Sequence, residues 1–462
     1  MRNTLKIFDR ITKKLLDDEL NNPMAEFVPS EELYERINLR LERSGISEDE
    51  LEEVLKDLLM KTPRTATNRF FNQLFGGRND KAVLGDLLSV VLNNSMYTYK
   101  AAGPQVGVEK TVIREICNII GWDKNADGTF APGGSMTNFM SMILARDHFD
   151  KEIRYNGANK SMTVYTSKES HYSIPKNAAF SGIGRNNVRY VPCDKEGKID
   201  PVALEEMIQE DVEKGHAPIM VNLTAGTTVL GAFDSIRSVR ETCDRHGMWL
   251  HLDGAYCGSV IFSEKYKHLV DGLELVDSFS FNAHKMIGTP LSCSIIVAKN
   301  KKHLYNSFSN DANYLYQTDH DEFNLGKTSL QCGRRNDALK FWTLWKSVGS
   351  EGLEEIVDHQ FFLADVARKY VRLNGDYTLY SYDESISICF NYKGIPARKI
   401  CTLLYEHSEL LVGYGSFDGV EFIRLVTINA QNDEKDILNF FKMLEGFVER
   451  HSSLLLEETL EK

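Results

Sequence analysis

The feature that most constrains the fold is an alternation of strand-like and helical stretches between about residue 100 and residue 345. Short apolar runs typical of β-strands occupy residues 162–165, 188–191, 219–223, 248–252, 278–281 and 294–298. Amphipathic stretches such as 107–122, 201–214 and 235–246 predict helices before or between them. This alternation indicates an α/β fold with a mostly parallel sheet covered on both faces, and in such sheets ligands bind beyond the carboxyl ends of the strands.

The two flanks of this region have different patterns. Residues 1–95 predict amphipathic helices, including one over 47–60 in which Ser47 and Glu50 match a capping box. Beyond residue 345, a long helical stretch precedes strand-like runs at 385–392, 410–412 and 422–428. We therefore predict three domains: an N-terminal helical arm over 1–95, a large α/β domain over 96–345 and a small α+β domain over 346–462.

Charge and cysteine usage argue against several classes of protein. The 462 residues carry 66 acidic and 54 basic side chains, a net charge of −12, which disfavours a nucleic-acid or anionic-membrane binder. No stretch approaches the ~20 apolar residues that span a bilayer, and the N-terminus lacks the apolar core expected of a signal peptide. The eight cysteines are widely spaced without a C-x-x-C pair, which favours reduced thiols, a cytoplasmic location and no metal site.

Two charged residues follow predicted strands, where a site is expected. Lys285, in the NAHKMIG run at 282–288, is either a solvated loop residue or a Schiff-base lysine. Asp253, in HLDGAY at 251–256, either caps the next helix or pairs with a protonated ring nitrogen. A carboxylate and a lysine at neighbouring strand ends match the needs of pyridoxal phosphate, because the carboxylate keeps the pyridine nitrogen protonated and the ring an electron sink.

Three further motifs lie at strand ends or helix starts. APGGSMTN at 131–138 places Gly133, Gly134 and two hydroxyls before a helix, which forms either a simple turn or a phosphate cradle. His171 follows one strand and is either structural or able to stack on a planar cofactor, and LTAGTT at 223–228 follows another strand. Phosphate donors, a ring-stacking group, an acid and an amine at four strand ends together favour one cofactor site.

Taken together, these motifs resemble those of the group II pyridoxal-phosphate-dependent amino-acid decarboxylases. The resemblance runs from about residue 64 to about residue 445 and is strongest in PGGSMTNFMSM, SHYSI, TAGTTVLGAFD, HLDGAY and LQCGRRNDALKFWTLWK. It is closest to the branch that contains the glutamate, cysteine sulfinate and aspartate decarboxylases. The resemblance implies the type I fold of pyridoxal-phosphate-dependent transferases with a central seven-stranded sheet, pyridoxal 5'-phosphate as cofactor, and a homodimer in which the N-terminal helices cover the partner and the active site lies at the interface.

The resemblance also implies a role for each matching cofactor-binding residue. Lys285 would bind the cofactor covalently, Asp253 would pair with the pyridine nitrogen and His171 would stack on the ring. Ala255 would pack against the other face of the ring, and Thr224 would lie near the ring hydroxyl. The residues implied around the phosphate are Ser135, Met136 through its backbone, Thr137, Asn282 and His284.

The substrate end of the site is implied by Arg424, which matches the arginine that binds the substrate carboxylate, and by Gln73, Phe75, Ser95 and Tyr97. Cysteine sulfinate and aspartate decarboxylases carry an aromatic residue, Ser and Tyr at the last three positions, whereas animal glutamate decarboxylases carry a small polar residue, Asn and Phe. Phe75 would shorten the pocket by one methylene, worth ~1–3 kcal/mol; alternatively, Phe75 and Tyr97 only pack an interface. We expect decarboxylation of aspartate or cysteine sulfinate to β-alanine or hypotaurine, with carbon dioxide released from a Schiff base of substrate and cofactor. Glutamate decarboxylation to GABA is the alternative.

Phe323 departs from the family pattern. Many relatives carry at this position a tyrosine that protonates the substrate carbanion, and phenylalanine has no proton to donate. In related aromatic enzymes this change diverts the reaction to an aldehyde, whereas some cysteine sulfinate enzymes also lack the tyrosine. We therefore expect the amine as product, with His171 or a water as the proton donor, and keep an aldehyde synthase as the alternative.

Overall fold

The computed structural model describes residues 2–72, 74–310 and 320–456, and the chain divides into two compact units. One unit comprises residues 78–362 and 381–386, and the other comprises residues up to 77, 363–380 and 387 onward. The three-domain division with boundaries after residues 95 and 345 stays a prediction. Among the described residues, no helix combines the length and the apolarity that a membrane crossing requires.

The helices and strands are numbered along the chain. The helices are α1 (Arg2–Asn21), α2 (Leu33–Arg36), α3 (Glu48–Met60), α4 (Asp80–Leu92), α5 (Tyr99–Ala102), α6 (Gln105–Ile120), α7 (Gly134–Phe149), α8 (Ile153–Asn156), α9 (Ser173–Phe180), α10 (Pro201–Glu213), α11 (Ile236–His246), α12 (Lys301–Phe308), α13 (Asp337–Leu373), α14 (Ala397–Glu406), α15 (Glu434–Arg450) and α16 (Ser452–Leu456). The strands are β1 (Phe70–Phe71), β2 (Asp127–Ala131), β3 (Met162–Ser167), β4 (Val188–Val191), β5 (Ala217–Thr224), β6 (Trp249–Gly254), β7 (Ser278–Asn282), β8 (Ser294–Ala298), β9 (Tyr377–Leu379), β10 (Ser387–Tyr392), β11 (Leu411–Phe417) and β12 (Val420–Val426).

The larger unit contains the mostly parallel seven-stranded sheet, so this part of the predicted fold is confirmed. Its strand order is β2-β8-β7-β6-β5-β3-β4, and all pairs are parallel except the two that involve β8. Every residue of β3, β6, β7 and β8 is buried, which explains why these strands appear in the sequence as continuous apolar runs. Burying one large apolar side chain contributes about 1.5–3 kcal/mol, so the sheet forms a stable platform.

The register of this sheet brings polar residues of three neighbouring strands together at their carboxyl ends. Thr224 at the end of β5 pairs with Asp253 on β6, and Asp253 pairs with Ser280 on β7. Asn282 is the last residue of β7. The carboxyl ends of three neighbouring strands therefore meet on one side of the sheet, as the sequence predicts.

The smaller unit contains a five-stranded sheet of order β1-β11-β12-β10-β9. Only the β1–β11 pair is parallel, and the other pairs are antiparallel. β1 comes from the N-terminal stretch, for which the sequence pattern predicts helices alone, because two residues are too short to produce a strand pattern. The capping box at Ser47 and Glu50 is confirmed at the start of α3.

Candidate active site

A cavity of about 200 Å³ lies at the carboxyl ends of β5, β6 and β7. It brings together eight of the residues predicted from the sequence: Ser135, His171, Thr224, Asp253, Ala255, Asn282, His284 and Lys285. All of them belong to the larger unit. The residues that line the cavity in addition are Gly134, Asn138, Tyr172, Gly226, Thr228 and Tyr256. The cavity thus gathers side chains from five separate stretches of sequence.

Lys285 is presented by a tight turn that follows β7. The Lys285 N–H donates to the carbonyl of Asn282 at 3.1 Å, and the Gly288 N–H donates to the carbonyl of Lys285 at 3.1 Å. Gly288 has a φ of 69°, which glycine adopts without strain. The Nζ atom lies 6.0 Å from the ring centroid of buried Tyr256. The turn therefore holds a half-buried amine against an aromatic wall of the cavity.

Asp253 is a buried carboxylate whose two oxygens are both held by neighbours. Its Oδ1 accepts a hydrogen bond from the backbone N–H of Ala255 at 2.9 Å. Its Oδ2 accepts from Asn138 Nδ2 at 2.6 Å, on the first turns of α7. An ionised carboxyl group accepts about four hydrogen bonds, so acceptor capacity remains for a donor in the cavity.

His171 lies on the loop between β3 and α9, and its tautomer follows from one contact. The backbone N–H of Ser173 donates to His171 Nδ1 at 3.2 Å, which places the imidazole hydrogen on Nε2. Burial lowers the pKa of His171 below its usual 6.5; the Asp253 carboxylate opposes this shift and the Lys285 ammonium adds to it. The neutral ring lies 4.2 Å from the ring of Tyr172 at a tilt of 39°.

The N-terminus of α7 forms an anion seat beside these residues. Gly133, just before the helix, has a φ of 150°, a conformation that residues with a Cβ rarely adopt. A Cβ on Gly134 would lie 3.0 Å from Asn282 Nδ2 and 3.1 Å from Ala255 Cβ, so the backbone packs closely against both neighbours. The N–H groups of Met136 and Thr137 donate to the Gly133 carbonyl, which leaves the N–H groups of Gly134 and Ser135 for a ligand, and a sixteen-residue helix adds its dipole to them. A phosphate group fits this seat.

Met136 and Thr137 lie in the same first turn but face away from the seat. Thr137 is fully buried, and its Oγ1 donates to the carbonyl of Gly134 at 2.9 Å. The Met136 side chain packs against the hydrophobic core. Their part in phosphate binding stays a prediction, and the backbone N–H groups of both residues already donate to the Gly133 carbonyl, at 2.9 Å and 3.1 Å.

His284 follows β7 and is buried against the segment before β8. His284 Nδ1 lies 2.9 Å from the Cys293 N–H and 3.0 Å from the Cys293 carbonyl, so the Cys293 backbone holds this nitrogen in either tautomer. Burial, together with the Lys285 cation, lowers the pKa of His284 to about 3. His284 is therefore a neutral imidazole at the cavity wall.

Two polar atoms in the cavity wall identify the kind of ligand that fits. Within the described part of the chain, Thr224 Oγ1 and Asn282 Oδ1 are buried without a hydrogen-bond partner. Leaving a buried polar atom unpaired costs about 1–3 kcal/mol, so these atoms favour a ligand with polar groups. A lysine amine, a carboxylate, a stackable imidazole and an anion seat are the groups that pyridoxal phosphate requires, and the residues present fit that cofactor.

Arg424 and Phe75 lie in the smaller unit. Arg424 is on β12, opposite Gly413 on β11, and its Nη2 donates to the carbonyl of Asn72 at 3.2 Å. A Cβ on Gly413 would lie 2.4 Å from Asn72 Oδ1, so glycine is required for the 69–77 segment to pack here. The Phe75 ring packs 5.9 Å from that of Phe70. The guanidinium is thus held beside the segment that carries Phe75.

Three further predicted substrate residues have different outcomes. Gln73 lies outside the described residues. Ser95 Oγ and the Arg334 N–H lie 3.5 Å apart, and the Ser95 hydroxyl also faces the carbonyl of Cys332. Tyr97 packs flat against Gly326, where an added Cβ would come within 2.3 Å of the phenol ring. The substrate roles of Gln73, Ser95 and Tyr97 stay predictions.

Phe323 is half-buried against an apolar cluster of the larger unit. The cluster consists of Met96, Ala102, Val106 and Leu325. The Tyr99 ring meets Phe323 edge-on at 5.7 Å. Phe323 therefore acts as a packing residue in this conformation.

Sequence reasoning missed several cavity residues, of which Asn138 makes the most direct contact. Asn138 lies four residues after Gly134 on α7, so the two share one face of the helix. That spacing is a signal from which Asn138 could have been found. Tyr256 directly follows Ala255, and Thr228 lies in the quoted LTAGTT motif.

Comparisons with known proteins agree with this geometry. A family model described as the pyridoxal-dependent decarboxylase conserved domain matches residues 30–393. Acidic amino acid decarboxylase GADL1 of Mus musculus is 34% identical over 455 residues, which cover 93% of this chain and 82% of the relative. Cysteine sulfinic acid decarboxylase of Homo sapiens is 37% identical over 377 residues, 80% of this chain and 76% of the relative. The crystal structure of mouse CSAD matches with a TM-score of 0.91 at 30% identity, covering 96% of this chain and 99% of that chain.

Proposed function

The chain belongs to the pyridoxal-dependent decarboxylase family, and on this premise we propose that it removes the α-carboxylate of aspartate or cysteine sulfinate as carbon dioxide. It is a carboxy-lyase with the type I fold, and its cofactor is pyridoxal 5'-phosphate. The observation that carries the proposal is the single cavity in which Lys285, Asp253 and His171 meet an anion seat. The products would be β-alanine or hypotaurine.

The residues that would hold the cofactor are those of the cavity. When bound, pyridoxal phosphate supplies an electron sink that accepts the electron pair left at Cα by the departing carboxylate. Lys285 Nζ would hold its aldehyde carbon, and Asp253 its ring nitrogen. Thr224 Oγ1 would donate to its ring hydroxyl, and the first turn of α7 would hold its phosphate through backbone N–H groups.

His171 and Lys285 are the groups that would manage the proton at Cα. The Ser173 N–H occupies His171 Nδ1, so the imidazole presents Nε2–H as a donor. Lys285 Nζ carries exchangeable hydrogens on a flexible four-carbon stem and lines the same cavity. Two donors within one cavity support protonation without the loop tyrosine that Phe323 replaces.

Arg424 supports a preference for anionic substrates. It is 8% exposed, and a buried guanidinium favours a carboxylate partner through two parallel hydrogen bonds. The two relatives at 34% and 37% identity are named for acidic amino acid and cysteine sulfinic acid decarboxylation. Phe75, three residues after the Asn72 carbonyl that Arg424 contacts, supports the shorter acids over glutamate because its ring would take up the space that one methylene needs.

One experiment tests the proposed activity. Purified protein loaded with cofactor is incubated separately with aspartate, cysteine sulfinate and glutamate, while carbon dioxide, amine, aldehyde and peroxide are measured. We expect carbon dioxide and amine in equal amounts, with the higher kcat/KM on one of the shorter acids. A complete lack of carbon dioxide from all three would contradict the proposal, and a preference for glutamate would favour the GABA-forming alternative.

The second candidate function is an aldehyde synthase, and Phe323 is the observation that favours it. Phenylalanine removes the tyrosine donor that many relatives use, and an unprotonated carbanion is open to oxidation by oxygen. In this structure Phe323 packs on an apolar cluster, which provides a structural reason for the residue. Aldehyde and peroxide in place of amine in the same assay would establish the alternative.

We further propose that the chain acts as a homodimer with the active site at the interface. Helix α4 supports this, because six large apolar side chains along it are exposed by 42–63%: Leu84, Leu87, Leu88, Val90, Val91 and Leu92. A Leu88→Glu variant should sediment as a monomer, whereas Tyr155→Glu, at an exposed side chain outside α4, should not change the sedimentation coefficient. Wild-type protein that sediments as a monomer would contradict the dimer.

A cytoplasmic location is proposed from the thiols. All eight cysteines are free, and six are buried. Free thiols persist in compartments with a reducing glutathione pool. Fractionation of the native host cells, followed by detection of the protein in the soluble fraction, tests this proposal.

A further inference from the structure

We infer that Asn138, supported by His251 behind it, is a positioning residue that keeps the Asp253 carboxylate aimed into the cavity, and that it thereby maintains the proton on the ring nitrogen of the cofactor. The inference deepens the proposed function and rests on the assignment of Asp253 to that nitrogen. Asn138 and His251 are both buried, and no role in the reaction was predicted for either from the sequence.

Asn138 contacts Asp253 directly. Asn138 Nδ2 donates to Asp253 Oδ2 at 2.6 Å, while the Ala255 N–H occupies Oδ1 at 2.9 Å. The second Nδ2 hydrogen of Asn138 is directed at Ser173 Oγ, 3.1 Å away. Both amide hydrogens therefore have acceptors, and the reversed amide would place its oxygen against a carboxylate oxygen.

Asn138 also contacts His251 through its amide oxygen. His251 Nε2 lies 3.4 Å from Asn138 Oδ1, so a hydrogen on Nε2 points toward the amide oxygen. With Asp253 and Ser173 on its nitrogen and His251 on its oxygen, the amide is fixed at both ends. The Asn138 side chain is thus held in one rotamer by three neighbours.

The tautomer of His251 is favoured by its contact with Asn138. Trp249 Nε1 can only donate, and it donates to Ser278 Oγ at 2.8 Å. His251 Nδ1 lies 2.8 Å from that hydroxyl oxygen and 3.1 Å from the Ser278 carbonyl, so it has both a possible donor and an acceptor beside it. The amide oxygen of Asn138 beside Nε2 can only accept, which favours the imidazole hydrogen on Nε2.

Neutrality of His251 follows from its surroundings. Burial lowers its pKa to about 4, although the carboxylate of Asp253, two residues along the same strand, opposes the shift. The other titratable groups that line the cavity are His171, Tyr172, Tyr256, His284 and Lys285. The relay from Trp249 to Asp253 is thus a chain of neutral donors that ends on one negative charge.

The consequence of the relay is electrostatic. Hydrogen bonds to an ionised carboxyl group stabilise the ionised form over the protonated one. A carboxylate held in this position would stabilise the protonated, positively charged form of the pyridine nitrogen. An aspartate at position 138 would replace the donor by a second carboxylate and favour a proton shared between the two acids instead.

The test compares Asn138→Ala, Asn138→Asp and His251→Leu with a matched control, Asn222→Ala. Asn222 is an equally buried amide on β5 that lies beside His251 in the sheet register, and its Nδ2 donates to Thr166 Oγ1 at 3.1 Å rather than to Asp253. For each protein, the cofactor dissociation constant is measured by titration of the apoprotein. The protonation of the ring nitrogen is read from the chemical shift of ¹⁵N-labelled pyridoxal phosphate, and the unfolding temperature reports folding.

We expect Asn138→Ala to weaken cofactor binding by about 10- to 100-fold and to move the ¹⁵N shift toward the unprotonated value. Asn138→Asp, which has nearly the same shape, should move the ¹⁵N shift as far without a loss of packing. His251→Leu should weaken binding by less, about three- to tenfold, because the Asn138–Asp253 bond remains. Asn222→Ala should lower the unfolding temperature and leave the ¹⁵N shift unchanged.

A cofactor analogue with carbon in place of the ring nitrogen separates positioning from general packing. Wild type and Asn138→Ala should bind this analogue with the same affinity, since the group on which the relay acts is missing. Unchanged ¹⁵N shifts and cofactor affinities in both Asn138 variants would overturn the inference. If Asp253→Ala also left the ¹⁵N shift unchanged, the assignment of Asp253 itself would fail, and the two failures are therefore distinguishable.

Discussion

The two sheets of this protein present their functional side chains in different ways. In the seven-stranded sheet, Asp253 and Asn282 lie at the carboxyl ends of adjacent parallel strands, and Lys285 follows just beyond. In the five-stranded sheet, Arg424 lies within an antiparallel strand, two residues before its end and opposite Gly413. The first site is built at an edge of its sheet, whereas Arg424 is presented from within its sheet.

The difference shows how strand direction decides where functional side chains can be placed. Parallel strands all end on the same side, so any polar residue just after an apolar run joins the same cavity. An antiparallel sheet offers no shared end, so a functional side chain needs a local gap and a local partner. Gly413 and the carbonyl of Asn72 provide these for Arg424. We therefore expect the two regions to control different properties of the enzyme.

The largest expected effect concerns the lysine of the parallel sheet. Lys285→Ala should abolish decarboxylation, because no other group in the cavity can hold the cofactor aldehyde. Borohydride should then fix no cofactor to the protein, whereas wild type retains label on the peptide that contains Lys285. Lys299→Ala is the control, since that Nζ is exposed and donates to the Glu274 carbonyl at 2.9 Å. Cofactor that is still fixed to Lys285→Ala would place the attachment site at another residue. The seven-stranded sheet would then not present the cofactor lysine.

The next effect concerns Arg424. Arg424→Ala should lower kcat/KM on the acidic substrate by about 100-fold, because a buried charged partner of the substrate is lost. The absorption spectrum of bound cofactor should stay that of wild type, since Arg424 belongs to the other sheet. Arg398→Ala, on an exposed arginine of α14, serves as the control for charge alone. Loss of cofactor from Arg424→Ala would show that the region of the five-stranded sheet also controls cofactor binding, which contradicts the comparison.

A smaller effect is expected at Phe75, which sharpens the role of the Arg424 region. Phe75→Ser should raise kcat/KM on glutamate relative to aspartate by about tenfold, since space for one methylene is worth about that factor. Phe180→Ser, at an exposed phenylalanine on α9, should leave the ratio of the two substrates unchanged. An unchanged ratio in Phe75→Ser would assign Phe75 to interface packing alone.

The smallest effect is a pH dependence of stability in the seven-stranded sheet. Burial holds the pKa of His251 at about 4, below the ordinary 6.5, so the unfolded chain binds more protons than the folded chain between these values. Stability therefore falls as the pH falls through this window. His251→Leu should show a shallower fall of the unfolding temperature from about pH 6.5 to about pH 4.5, by a few degrees. Parallel curves for the two proteins would contradict the assigned cause.

Much of the parallel sheet could be predicted from the sequence, because buried strands appear as continuous apolar runs. The motifs at their ends identified Asp253, Lys285 and His171, since topology alone brings strand ends together. β2 was not predicted, because Asp127–Ala131 carries a glycine and no run of β-branched residues. The hydrogen bond from the Thr137 hydroxyl to the Gly134 carbonyl was not predicted either, because a threonine hydroxyl in a first helical turn can bond the preceding turn as readily as a ligand.

The relay behind Asp253 has a consequence for hydrogen exchange. An amide such as that of Asn138 holds its hydrogens on nitrogen and cannot accept a proton at one atom while releasing one at another on the timescale of turnover. The chain from Trp249 to Asp253 therefore transmits polarisation but conducts no protons. Deuterium at the pyridine nitrogen can reach solvent only by way of the cavity, so a substrate that fills the cavity should slow this exchange. The buried interior of the sheet therefore stabilises Asp253 without offering it a path for proton exchange.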